Sequence, residues 1–181
     1  MAAKLGRLLV RCRSEAGFGL VELMIALIIL VVGVLATIAV FESSLLHLGR
    51  ATKMSTAAAV GEQEMEDFRA VKFDAIGLAP TAFATATTDP VYTGDSACAT
   101  TCAVAGSADG ETVTVTGSTF LPTQTLTGAD GKQYRVDTYV LWGTIPNGRP
   151  VKDITVVVRD LTNSTKTWAR ISSSFDESTG Q

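Results

Sequence analysis

The 181-residue chain has room for one modest globular domain plus a membrane segment, and its 15 Lys+Arg against 18 Asp+Glu leave it slightly acidic. Lys4, Arg7, Arg11 and Arg13 share the first 17 residues with a single acid, Glu15, so the remainder carries 11 basic and 17 acidic residues. A basic tip on an acidic body suits a membrane-oriented protein. The body lacks the Lys/Arg cluster that would neutralise several phosphates, so no direct nucleic-acid partner is expected.

Residues 1–17 form the basic tip. Leu23–Phe41 is a 19-residue run without charge, interrupted only by Gly33 and Thr37. As a helix it would be about 28 Å long, close to the roughly 30 Å hydrocarbon core of a bilayer. The four basic residues before it predict a cytoplasmic N-terminus and an extracytoplasmic body. An ordinary secretory cleavage site would follow the apolar run with small residues, whereas Val40-Phe41-Glu42 is bulky and acidic.

Glu22 stands at the start of the run, where a carboxylate is unfavourable in lipid and is a functional candidate that needs a partner. The first Lys or Arg beyond it is Arg50. The segment Glu15-Ala16-Gly17-Phe18-Gly19-Leu20-Val21-Glu22-Leu23 resembles the prepilin peptidase site of bacterial type IV prepilins: Gly before the cut, Phe first after it, Glu fifth after it. The resemblance covers about 25 residues. It departs from the family in having Gly19 in place of the common Thr, and it lacks the frequent helix-kinking Pro.

The resemblance implies that Gly17 precedes the cut and that Phe18 becomes the N-methylated terminus. It also implies that Glu22 aligns incoming subunits. Phe18 and Glu22 are one helical turn apart, so the new amine of one subunit and the Glu22 of its neighbour can neutralise each other inside an apolar shaft. The implied partners are a prepilin peptidase/methyltransferase, other pilin subunits, an inner-membrane assembly platform and the lipid bilayer.

Helical spacing continues through Met54, Ala58, Gly61, Met65 and Phe68, an apolar stripe suited to lie under a sheet. Glu62, Gln63, Glu64, Glu66, Asp67 and Arg69 between them read as a solvated face. Gly77-Leu-Ala-Pro80 predicts the end of the helix. Residues 77–110 read as a connecting loop rich in Thr, Ala, Ser, Gly and Asp.

Three cysteines are present, Cys12, Cys98 and Cys102. Loss of residues 1–17 would leave Cys98 and Cys102, which can pair in an oxidising compartment. Free thiols or a metal are the alternatives, although a zinc site would need companions that are missing nearby.

Strands are expected at Glu111–Thr116, Gln133–Trp142, Ile154–Arg159 and Lys166–Ile171. They are separated by turns at Gly128-Ala-Asp-Gly131, Pro146-Asn-Gly148 and Thr162-Asn-Ser164. Short connections favour an antiparallel meander. The expected fold is α+β and pilin-like, a long N-terminal helix whose second half packs on an antiparallel sheet of about four strands. In segments this gives a leader at 1–17, a transmembrane half-helix at 18–41 and an extracytoplasmic half at 42–76. The loop at 77–110, a β head at 111–175 and a tail at 176–181 follow.

No enzyme is expected. His47 is the lone histidine and suits a headgroup-level surface position, and GxxxxGK[ST], HExxH and GxSxG do not occur. Asp109-Gly110 and Asp130-Gly131 are explained by turns more simply than by calcium. No cofactor or metal is implied.

The leading expectation is a structural, minor-type subunit of a type IV pilus-like filament. It would start as a single-pass protein of the inner membrane and reach the cell surface on assembly. A pseudopilin of a type II secretion or DNA-uptake machine shares the same N-terminus. An uncleaved, signal-anchored surface binding module would instead keep its first 17 residues.

Overall fold

The structure is a computed structural model that describes residues 19–98, 102, 104–144 and 148–177. The chain divides into two units between His47 and Leu48. Helix α1, Leu20–Arg69, contributes to both. In the first unit its apolar side chains are exposed, from Leu20 through Phe41 to Leu46.

In the second unit α1 buries Ala57, Val60, Gly61, Glu64, Met65 and Phe68. The stripe is thus real but shifted, because Met54 is exposed and Ala57 and Val60 take the inner positions. Glu64 departs from the expected solvated face. It is only 6% exposed, on the same side as Val60, Gly61 and Phe68.

The helix ends at Arg69, well before the Gly77–Pro80 stop signal. Lys72 is extended, and a short 3-10 turn, Phe73–Ala75, carries Phe73 and Ile76 back into the core. A straight continuation would have left these apolar residues outside. The buried Lys152 ammonium donates to the carbonyls of Phe73 (2.6 Å) and Ile76 (2.8 Å), satisfying acceptors freed by the turn.

Two short helices occupy the expected loop: α2, Pro80–Ala86, and α3, Pro90–Thr93. Each begins on a proline, whose fixed φ suits a first helical position and whose missing N–H is not needed there. Asp89 caps α3 by accepting from the Val91 N–H at 2.8 Å.

Four strands form one antiparallel sheet in the order β1-β2-β3-β4: β1 Thr123–Thr127, β2 Gln133–Thr144, β3 Pro150–Asp160 and β4 Thr167–Asp176. Gly131, at φ 72°, takes the left-handed conformation required by the β1–β2 turn. The expected first strand, Glu111–Thr116, is replaced by Thr123–Thr127. Its backbone bonds are divided among three partners, Val104 by Thr112, Val140 and Trp142 by Val113 and Glu111, and Leu78 by Val113 and Val115. That division makes isolated bridges rather than a ladder.

Both faces of the sheet are covered. Gly61 brings α1 against Val158 and Ile171, the face shared by Val136, Thr138, Val140, Val156 and Ile154 through the strand register. On the opposite face Tyr139 stacks on Tyr92 at 4.5 Å, with reciprocal bonds from Tyr92 to the Thr138 carbonyl and from Tyr139 to the Tyr92 carbonyl. The fold is a long N-terminal apolar helix on a four-stranded antiparallel sheet, an α+β, pilin-like architecture.

Candidate functional site

The N-terminal end of α1 is the first candidate. Leu23 N–H closes the first turn on the Gly19 carbonyl at 3.1 Å, which places Glu22 inside that turn. Its neighbours Leu20, Val21, Leu23 and Met24 are all more than half exposed. An acid near a helix N-terminus is favoured by the unsatisfied N–H groups there. That effect is worth at most about 1 kcal/mol at an exposed site. Glu22 has no ion-pair partner among the described residues. The proposed cut between Gly17 and Phe18, and Phe18 as methylation site, lie outside the described residues.

From Leu23 to Phe41 every large apolar side chain is exposed, so this helix is long and apolar enough to cross a membrane. Thr37 does not disturb it, because its hydroxyl donates to the Val34 carbonyl at 2.7 Å. A family model for the prokaryotic N-terminal methylation motif matches residues 12–38.

That motif is the class III leader of type IV prepilins.

The match takes in the end of the basic tip from Cys12, then Gly17, Phe18, Glu22 and most of the apolar run, and it ends before the head. It supports a type IV pilin or pseudopilin-like prepilin, hence a structural role, processing by prepilin peptidase and assembly with other pilins. No curated protein and no solved structure matches the chain.

Two arrangements in the head escaped the sequence reading. The first is an ionic network on the sheet face that carries Tyr139. Asp137, fully buried, accepts from Arg135 Nε (2.8 Å), Arg159 Nε (2.8 Å) and Thr123 Oγ1 (3.0 Å). Arg135 reaches on to Asp89 at 2.6 Å, and Arg159 pairs with Asp95, which also holds Arg170 at 2.7 Å. Burial pushes the Asp95 carboxyl up, but the Ala97 N–H, Arg170 and Arg159 together outweigh it and hold the group below its ordinary value. Asp89 is held low in the same way by the Val91 N–H and Arg135, again against desolvation.

This network fastens the segment from α3 to the cysteines onto the sheet. Cys98 and Cys102 are joined in a disulfide, with their Cα atoms 4.6 Å apart. Cys98 N–H bonds the Asp95 carbonyl and Thr112 Oγ1 donates to the Cys102 carbonyl at 2.9 Å.

The second arrangement is a groove of about 540 Å³ at the end of the sheet bearing the β1–β2 and β3–β4 turns, where Lys53, Lys132, Tyr134, Asp160 and Trp168 line it. Lys166 Nζ sits 3.9 Å and Lys53 Nζ 5.2 Å from the Trp168 ring centre. The Thr162 hydroxyl and N–H and the Trp168 and Asn163 N–H groups hold the Asp160 carboxylate at a pKa of about 2.

His47 is exposed, and among the described residues no group of three or more His, Cys, Asp or Glu is placed to hold a metal. Asp109 and Asp130 serve turns, Gly131 N–H closing on the Gly128 carbonyl at 2.9 Å and Glu111 N–H on the Ala108 carbonyl at 3.1 Å. A sequence signal for the ionic network did exist. Arg135 and Asp137 alternate on one face of β2, a polar pair inside an otherwise Tyr/Val-rich strand.

Proposed function

We propose that the chain is a structural subunit of a type IV pilus-like filament, made as a prepilin and polymerised through α1. Prepilin peptidase adds water across the Gly17–Phe18 amide, leaving a carboxylate on Gly17 and an amine on Phe18. N-methylation of that amine keeps its positive charge. The subunit waits in the inner membrane, N-terminus cytoplasmic and head outside, until the assembly platform delivers it to the filament.

The observation that carries this reading is Glu22, a carboxylate in the first turn of an exposed apolar helix, with no ion-pair partner among the described residues. A neighbouring Phe18 ammonium neutralises it, and each charge removes the other's penalty in the apolar shaft. Replacing such a pair by apolar groups is often neutral for stability. Its role is therefore registration, since only one axial offset between neighbouring helices brings amine and carboxylate together.

The test is N-terminal sequencing and intact mass of the protein from its host, paired with Glu22→Val. The mature chain is expected to begin at methylated Phe18, and Glu22→Val is expected to be cleaved normally yet poorly incorporated into filaments. A chain that still starts at Met1, or wild-type assembly by Glu22→Val, refutes the reading.

A further inference from the structure

The charges of the head are sorted along its strands. At one end, around the β1–β2 and β3–β4 turns, Lys53, Lys132 and Lys166 border the groove, and none has a carboxylate within 4.0 Å among the described residues. The two acids there are engaged locally. Asp160 accepts from Thr162, Asn163 and Trp168, and Asp130 from Tyr134 (2.8 Å) and the Lys132 N–H (3.1 Å). Lys53 and Lys166 share the Trp168 ring, so two ammonium groups are gathered there, neither of them in a salt bridge among the described residues.

The other end carries an excess of acid, with Arg149 just before β3 as an exposed base. Strand register puts Asp153 opposite Leu141 and Ser174, and Asp176 opposite Val151. Glu111 and Gly110 bond Trp142, which brings Asp109 and Glu111 to the same end, and Glu177 follows β4. Asp109, Asp153 and Glu177 are exposed. At about 3.4 Å per residue the two ends are separated by roughly 30 Å along β2 and β3.

We infer that the lysine groove of one head receives the acidic end of a second copy of this chain. The two surfaces are opposite in sign and sit at opposite ends of the strands, so a copy cannot satisfy both through a two-fold contact. A contact between unlike surfaces is head-to-tail, and when its rotation does not close it propagates as an open helical filament. This rests on the filament reading above and extends it by naming the head surfaces that meet. Exposed ion pairs contribute little affinity each. Their effect is on choice of partner and register, because like charges placed face to face are strongly disfavoured.

The experiment uses the full chain produced with its processing and assembly machinery, in a mixture of light and nitrogen-15-labelled copies. Zero-length carbodiimide coupling of isolated filaments is expected to join Lys53, Lys132 or Lys166 to Asp109, Asp153 or Glu177 in peptides of mixed isotope. In parallel, Lys132→Glu/Lys166→Glu is expected to lower filament yield about tenfold or more, as several like charges then face each other. Adding Asp109→Lys/Glu177→Lys to the same chain is expected to restore it.

Retention of the Cys98–Cys102 bridge and of the wild-type melting temperature shows that the reversed variants fold. Filaments whose cross-links are absent or confined to one isotope, or a lysine reversal that assembles like wild type, overturn this contact and leave the filament reading standing. Failure of the wild-type chain to enter filaments at all sinks the filament reading itself.

Discussion

Arg159 Nε lies 2.8 Å from Asp137 Oδ2 at a point in the sheet where both side chains are buried, so the centre of the β2–β3 pair is ionic rather than apolar. Asp137 stands opposite Val157 and Arg159 opposite Arg135 in the strand register. Two guanidinium groups therefore face each other across the ladder with a single carboxylate between them. The energetic consequence is asymmetric: the intact set is close to neutral for stability, whereas removing one member strands the others.

Asp137→Ala removes the carboxylate between Arg135 and Arg159, each of which keeps one outer partner, Asp89 and Asp95 respectively. A loss of about 1–3 kcal/mol is expected, the cost of leaving buried donors without an acceptor. Urea denaturation of the full chain in detergent, followed by tryptophan fluorescence, measures it. A loss below about 1 kcal/mol would mean that water reaches the site and hydrates the arginines.

Acid should loosen the head through the outer members of the same network. Asp89 and Asp95 titrate below the unfolded value of 3.8, and Asp160 does so at about 2. A carboxylate with a depressed folded pKa contributes stability that is complete above its unfolded value. That contribution disappears as pH falls through the folded value. The melting temperature is therefore expected to hold above pH 4 and to fall between about pH 4 and pH 2. With Asp95→Asn the fall should be shallower, and an unchanged slope would exclude Asp95 as a contributor.

The legible parts of the fold were those with a long uniform pattern. Nineteen uncharged residues from Leu23 announce their helix, and alternation through β2 and the β-branched run of β3 announce the sheet. The leader was readable because Gly17, Phe18 and Glu22 have fixed spacing before an apolar run. Short elements gave too little periodicity. Helices α2 and α3 have seven and four residues, and their only local sign was the proline that opens each.

Glu111–Thr116 misled for a different reason. Its burial does not alternate, since the neighbours Thr112 and Val113 are both buried, and its hydrogen bonds go to three separate segments, a tertiary fact that strand propensity does not contain. The burial of Glu64, Asp137 and Arg159 was hidden for a similar reason. Whether a polar residue is covered depends on which segment packs over it, and for Asp137 and Arg159 α3 and the segment from Asp95 to Cys98 lie over a face that a two-layer reading leaves open to solvent.

Gly61 marks the closest approach of α1 to the sheet. A Cβ there would stand 2.9 Å from Ile171 Cδ1 and 3.3 Å from Val158 Cγ2. Gly61→Ala is expected to be nearly neutral, since the gain of about 1 kcal/mol in helix propensity is offset by displacing the end of a flexible isoleucine. Gly61→Leu has no such escape and should cost about 1–3 kcal/mol through overpacking. Denaturant midpoints of the two variants check this, and equal midpoints would show that the helix is free to move off the sheet.

The Cys98–Cys102 bridge closes a loop so short that its chain-entropy contribution is only about 2 kcal/mol. Its position makes it matter more than that figure suggests. Asp95 holds the start of the same loop through its carbonyl to Cys98 N–H and its carboxylate to Ala97 N–H, while reaching Arg159 and Arg170 on the sheet. The bridge and the ion pairs thus anchor one segment from two sides, and loss of either lets that segment lift. Cys98→Ala/Cys102→Ala and Asp95→Ala are therefore expected to be less than additive, with a coupling of about 0.5 kcal/mol or more in a double-mutant cycle. Strictly additive losses would show that the disulfide loop and the ionic network act independently.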